Sequence, residues 1–243
     1  MRTAAFVSAP LSVRVWRGGA RGAFASYDVP RRASQTVLDV VTHIQRHLEP
    51  TLAYRYACRV GMCGSCAMSV NGVPRWTCRT HVEKVAGAGR LTIAPLAHLP
   101  VIRDLVTDMT QFFDKWARAK GQFHGNRQRD DDVAQVRPDT PARRAADAGI
   151  ECIGCGVCYA ACDVVGWRPD YLGPAALNRA WTLANDVRDV AQRERLAAVA
   201  GDAGCHACHT QGSCTEYCPK RLSPTAGIAG LKRASARVAG GGE

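Results

Sequence analysis

The apolar positions change period along the chain, and the changes predict its elements. Leu11, Val13 and Val15 alternate with Ser12, Arg14 and Trp16, the two-residue period of a half-buried strand. Across Gly18, Gly19 and Gly22, residues Ala23 to Val29 offer it a partner. Val37, Val40, Val41, Ile44 and Leu48 recur at helical spacing and predict an amphipathic helix. Asn71-Gly72, between Ala67–Val70 and Val73–Trp76, predicts a type I′ hairpin, because both residues tolerate positive φ. Pro100 can open a helix whose apolar face is Val101, Leu105, Met109, Phe112, Phe113 and Trp116. A further helix is expected from Pro174, carrying Leu177, Trp181, Ala184 and Val187. Phe113, Trp116 and Trp181 read as core residues without chemistry.

Between these halves the stretch from about Arg118 to Ala148 is polar. It contains Arg127-Gln128-Arg129-Asp130-Asp131-Asp132, Pro138 and Pro141, the composition of a linker or exposed crossover. The expected organisation is an α/β domain over residues 1–98, a connecting helix and polar linker over 99–148, and a helical domain over 149–243.

At 243 residues there is room for one large domain or two small ones. No stretch approaches the 18 or so apolar residues a bilayer span needs. Met1 to Pro10 has too short an apolar core for a secretory signal and reads as a loose tail on a cytoplasmic protein. The formal charge of +11 and pI near 9.3 would by themselves suggest nucleic acid or an anionic membrane. That figure treats the 12 cysteines as neutral. If the thiols hold oxidised clusters, each site carries about −2 and the loaded chain falls to roughly +5. An acidic partner face or lipid headgroups then suit the balance better than DNA.

The cysteines decide the class. A disulfide framework is disfavoured, because the cytosol keeps thiols reduced. Cys58-x4-Cys63-x2-Cys66, followed by Cys78, has the opening spacing of a plant-type [2Fe–2S] site. Gly61 and Gly64 permit the tight wrapping such a cluster needs, and Ser65 adds a hydroxyl donor. A structural zinc site is the alternative, although zinc more often uses paired CxxC knuckles. Strand, strand, helix and hairpin, with these cysteines in the loop before the hairpin, suit a β-grasp ferredoxin domain. Cys152-x2-Cys155-x2-Cys158-x3-Cys162 is the bacterial ferredoxin run, whose fourth cysteine ligates the other cluster. Cys214-x3-Cys218-Pro219 supplies the partner half. The expected [4Fe–4S] ligands are therefore Cys152, Cys155, Cys158 and Cys218, with Cys162, Cys208 and Cys214 at a third site. The fold class is α+β, a β-grasp [2Fe–2S] domain followed by an all-helical domain binding two clusters.

In order along the chain, these segments resemble the iron–sulfur subunit of the succinate dehydrogenase and fumarate reductase family. The likeness runs from about residue 11 to residue 233. Its most specific pieces are Cys58-Arg59-Val60-Gly61-Met62-Cys63-Gly64-Ser65-Cys66 and Pro100 to Val106, then Tyr171-Leu172-Gly173-Pro174-Ala175, and Cys214 to Lys220 with Ser223-Pro224-Thr225. The resemblance implies an electron relay between an FAD-containing flavoprotein subunit, which handles the dicarboxylate, and quinone at a membrane-anchor subunit. It implies a [3Fe–4S] cluster at the third site and a peripheral position on the cytoplasmic face of the inner membrane. It also implies that Trp167 and His209 stand at the quinone pocket; a core tryptophan and a histidine bonded to a sulfide are the plainer alternatives.

Three positions depart from the family pattern. Asp163 stands where many members have proline, and Gly166 where some carry a second aromatic residue. Cys205 is a twelfth cysteine beyond the eleven that such a cluster set requires. It is a candidate fourth ligand that would make the third cluster [4Fe–4S], or an unligated buried thiol, and the Cys208-to-Cys214 spacing favours the latter. Two other functions stay open at this point: a relay for a different flavoprotein dehydrogenase, and, more remotely, a zinc-bound nucleic-acid-binding module.

Overall fold

The alternating pattern at the start of the chain forms strand β1 (Leu11–Arg17), with Leu11, Val13 and Val15 fully buried and Ser12 and Arg14 exposed. The computed structural model describes residues 9–239, so the tail read at Met1 to Ser8 lies outside the described residues. Strand β2 (Ala23–Val29) pairs antiparallel with β1, Val13 opposite Tyr27. Helix α1 (Val37–His43) begins with a capping box, in which Thr36 and Asp39 satisfy each other's backbone N–H groups.

The helix then widens into a π-turn over Ile44–Leu48, and the Glu49 N–H donates to the Ile44 carbonyl at 2.7 Å. The extra residue in that turn rotates Leu48 off the apolar face, leaving it 44% exposed, while Val37, Val40, Val41 and Ile44 stay buried. Strands β3 (Ala67–Val70) and β4 (Val73–Trp76) form the expected hairpin, with Asn71 at φ +51° and Gly72 at φ +81°. The Asn71 side chain also donates to the Val85 carbonyl of the short helix α2 (Val82–Val85) and accepts from the Thr92 N–H. Strand β5 (Arg90–Ala94) runs parallel to β1 and antiparallel to β3, giving the order β2-β1-β5-β3-β4. The sheet and α1 enclose a core of aliphatic side chains, each contributing roughly 1.5–3 kcal/mol when fully buried.

The helix expected from Pro100 does not form there. Strands β6 (Val101–Arg103) and β7 (Val106–Thr107) make an antiparallel hairpin instead. Its turn residue Asp104 has φ +52° and is 1% exposed. The Asp104 carboxylate accepts from the N–H groups of Gly18 (2.7 Å) and Ala53 (2.8 Å) and from Arg17 Nε (3.1 Å). Burial alone would raise its pKa, but these donors outweigh it and hold the carboxyl below its usual range. Leu105 joins the β-sheet core.

The first compact unit ends at Asp108 and the second begins at Met109. Helix α3 (Thr110–Arg118) opens the second unit with Phe112 buried, Trp116 half-buried and Phe113 exposed, so Phe113 is not a core residue. Part of the polar stretch is also structured. Helix α4 (Pro141–Ile150) is capped by Thr140, has Pro at its first position, and buries Ala146 and Gly149 against helix α7 (Pro174–Ala184). The approach is close: a Cβ on Gly149 would lie 2.6 Å from Thr182 Oγ1. Helix α7 buries Leu177, Ala180 and Leu183, half-buries Trp181 and ends before Val187, which is exposed.

Short helices α5 (Val157–Ala160), α6 (Asp163–Trp167) and α9 (Ser213–Glu216) carry the cysteine loops. Helices α8 (Gln192–Val199) and α10 (Pro224–Ala239) pack around α7. Arg195 on α8 is fully buried, paired with Asp189 at 2.8 Å and donating to the Lys120 and Gln122 carbonyls. Among the described residues no helix is long and apolar enough to cross a membrane.

Candidate cluster sites

In the first unit the Cys58–Cys66 loop is shaped by left-handed residues: Arg59 at φ +57°, Gly61 at +76° and Gly64 at +71°. The Gly61 conformation lets the loop lie against the hairpin; a Cβ there would stand 3.0 Å from Arg79 and 3.1 Å from Trp76. The winding turns amide groups toward sulfur. The N–H groups of Met62 and Cys63 both approach Cys58 Sγ at 3.3 Å, and the Cys58 N–H approaches Cys63 Sγ at 3.5 Å. Ser65 Oγ lies 3.0 Å from Cys63 Sγ.

The hairpin explains the gap to the fourth cysteine. Cys66 precedes β3 and Cys78 follows β4, so the Ala67–Trp76 pairing returns the chain to where it left. Thr77 closes the junction by donating its hydroxyl to the Cys66 carbonyl at 2.8 Å. Cys63 is exposed, whereas Cys66 and Cys78 are buried. The Ser65 hydroxyl and the backbone bring Cys63 down to about 6, while burial and the neighbouring Cys66 push Cys78 up to about 11.

In the second unit two cavities are lined by thiols. One has Cys152, Cys155, Cys158 and Cys218 around it, with Gly154 and Asn178 in its wall. The other has Cys162, Cys208 and Cys214, with Tyr171, His209 and Thr225. The two are interleaved. The single turn of α5 separates Cys158 from Cys162, and α9 carries Cys214 just before Cys218, so each segment serves both cavities. Burial pushes Cys152, Cys158, Cys162 and Cys214 up; at Cys162 the N–H groups of Val165 and Val164 pull the other way. Thr225 Oγ1 lies 3.3 Å from Cys214 Sγ, and the Thr210 N–H donates to Cys208 Sγ at 3.4 Å. Thiols line each space, with the Thr210 N–H and Thr225 Oγ1 close to the sulfurs of the third site, a donor set that fits iron–sulfur clusters.

Two residues singled out in the sequence do not line the third cavity. Cys205 is fully buried, with Sγ 3.8 Å from Ser235 Oγ on α10. Trp167 is 67% exposed at the end of α6. His209 does line the cavity and is exposed. Tyr171 and Asn178 are cavity residues that spacing alone did not single out, since nothing in a local window distinguishes them from core. Tyr171 lay within a quoted motif but carried no role there.

Residues 12–114 match the 2Fe-2S iron-sulfur cluster binding domain family, and residues 149–222 match the 4Fe-4S dicluster domain family. The fumarate reductase iron-sulfur subunit of Escherichia coli O157:H7 is 38% identical over 205 residues, covering 84% of this chain and 82% of the relative. The chain belongs to the iron–sulfur subunit family of fumarate reductase and succinate dehydrogenase. A second member, the fumarate reductase iron-sulfur subunit of Mycobacterium tuberculosis (strain CDC 1551 / Oshkosh), is 36% identical, covering 88% of this chain and 86% of that one. The succinate dehydrogenase iron-sulfur subunit of Paracoccus denitrificans is 37% identical, with coverages of 81% and 74%. A chain of the Mycobacterium smegmatis Sdh1 complex in the apo form superposes with a TM-score of 0.83 at 29% identity, covering 94% of this chain and 96% of that one. Membership makes this chain the electron-relay subunit of an oxidoreductase complex.

Proposed function

We propose that the chain holds three clusters as one-electron stations between an FAD-containing flavoprotein, where succinate and fumarate interconvert, and quinone at a membrane anchor. Cys58, Cys63, Cys66 and Cys78 are the ligands of a [2Fe–2S] cluster. Cys152, Cys155, Cys158 and Cys218 hold [4Fe–4S], and Cys162, Cys208 and Cys214 hold [3Fe–4S]. Bound there, the clusters supply reversible one-electron chemistry without proton or group transfer.

The chain's own residues do the rest. The amides of Met62 and Cys63 and the Ser65 hydroxyl direct hydrogen bonds at the first-site sulfurs, which favours the more negative, reduced state. Helices α5, α7 and α9 wall the second and third sites. The observation that carries this reading is the interleaving of the two helical cavities, because α5 and α9 fix the two sites next to each other.

Cys205 is a spectator in this assignment, turned to Ser235 instead of the cavity. His209, on the cavity rim and open to solvent, is the better placed of the two quinone candidates. Trp167 offers an exposed indole N–H on the same unit as a second contact. The subunit lies on the cytoplasmic face of the inner membrane.

Electron paramagnetic resonance on the anaerobically purified protein tests the assignment. The expected result is a near-isotropic [3Fe–4S] signal in the air-oxidised sample. It disappears on dithionite reduction, as [2Fe–2S] and [4Fe–4S] signals emerge. An oxidised sample with no signal that gains the signals of a two-iron and interacting four-iron clusters on reduction would remove the three-iron cluster and make Cys205 a ligand.

A further inference from the structure

Lys115 lies on α3 among apolar neighbours and is only 5% exposed. Its ammonium donates to the Tyr159 hydroxyl at 2.8 Å and stands 5.0 Å from the centroid of that ring. The hydrogen bond thus ends on a neutral phenol instead of a carboxylate. Tyr159 is itself 2% exposed and held on both sides. Phe112 meets its ring edge-on, with centroids 5.5 Å apart, and a Cβ on Gly173 would come within 2.9 Å of it. A buried ammonium costs several kcal/mol of desolvation, which a phenol oxygen and a ring face only partly offset. Burial and then Arg118 push Lys115 down from its ordinary pKa, with Asp170 acting in the opposite sense. A charge this poorly matched by its immediate contacts needs a reason to be there.

The position of Tyr159 supplies one. It sits on α5 between Cys158 and Cys162, and its carbonyl accepts from the Cys162 N–H at 3.2 Å. We propose that Lys115, positioned by Tyr159, is an electrostatic tuning residue that raises the reduction potential of the cluster held by Cys162, Cys208 and Cys214. This rests on the ligand assignment proposed above. Reduction adds one negative charge to a cluster, and a fixed cation in a low-dielectric interior stabilises that charge. Lys115 and Tyr159 are both buried, and their effect is on the driving force of the electron step.

The test is a potentiometric titration followed by electron paramagnetic resonance. It uses the full-length, cluster-loaded chain as wild type, K115Q, K115R and Tyr159→Phe. K115Q keeps a donor for the phenol but loses the charge, whereas K115R keeps the charge. The expected result is a lower midpoint potential for the third cluster in K115Q and a near wild-type value in K115R. Tyr159→Phe, which releases the ammonium but leaves it in place, should fall between. Equal midpoints in wild type and K115Q would overturn the proposal, and so would equal shifts in K115Q and K115R, which would indicate a packing effect. Absence of the cluster signals from the wild type would instead overturn the ligand assignment.

Discussion

The cysteine loop of the first unit and the cysteine cavities of the second prepare the same chemistry by opposite means. In the loop, left-handed residues hold amides against sulfur, and the thiols at Cys58 and Cys63 remain accessible. Val60 and Met62 stand out into solvent beside them, each 60% exposed. In the cavities burial favours the protonated form of Cys152, Cys158, Cys162 and Cys214. A thiolate-ready loop can meet iron with little rearrangement, whereas a buried thiol must give up its proton as the metal arrives. The two units therefore differ in what they risk: the loop stores conformational strain, and the helical unit stores desolvated polar groups.

The largest expected effect lies with the buried charges of the helical unit. Arg195→Ala would leave the Asp189 carboxylate buried without its partner, a loss of about 3–5 kcal/mol. Thermal unfolding of the loaded chain checks it, and a change under 1 kcal/mol would mean water replaces the guanidinium. Burial alone would raise the pKa of Asp189, but Arg195 and the N–H groups of His124 and Ala191 outweigh it and lower the value. The stability this carboxylate provides is thus present above the unfolded carboxylate range and lost as pH falls through the lowered value. Acid unfolding of the wild type should show that loss, and Arg195→Ala, which keeps only the His124 and Ala191 N–H donors, should show less of it.

Next comes reactivity. In the cluster-free chain at neutral pH, Cys63 should react with iodoacetamide at least about a hundredfold faster than Cys158, because it is exposed and largely thiolate. Mass spectrometry of partially labelled protein reads the order directly. Equal rates would show that the loop acquires its shape only with iron.

A smaller effect tests the strain. Gly61→Ala must hold a Cβ at φ +76° against Trp76 and Arg79, costing about 1–3 kcal/mol and weakening the [2Fe–2S] signal while sparing the other clusters. Smallest of all, Cys205→Ser should leave the third-cluster spectrum unchanged. A converted signal would return that cysteine to the ligand set.

Much of the site is legible in the sequence because cluster ligation is a matter of spacing. The cysteine runs, the glycines between them and the Asn71-Gly72 turn are all local patterns, and local patterns survive folding. What escaped is set by distant partners. Residues 101–107 carry an apolar period compatible with a helix, yet the Asp104 carboxylate finds Gly18 and Ala53, far away in the chain, and turns the segment into a hairpin. Leu48 fits the helical stripe of α1, but a π-turn shifts it out of phase. Nothing in their local sequence marks Lys115 or Arg195, and only the packing of the second unit shows that both are buried. Asn178 and Tyr171 line cavities because of where α7 and its lead-in fall, which no spacing rule encodes.

The crossing of Cys158 and Cys162 into different cavities makes the helical unit a pair of nested closures. In the proposed assignment one clip would join Cys158 to Cys218, about 60 residues apart, and the other would join Cys162 to Cys208 and Cys214 inside that span. Closing the inner clip shortens the free chain that the outer one must gather, so the second event costs less loop entropy than the first. Under that assignment assembly would be cooperative, and so would damage: iron lost from one clip would loosen the segment on which the other depends.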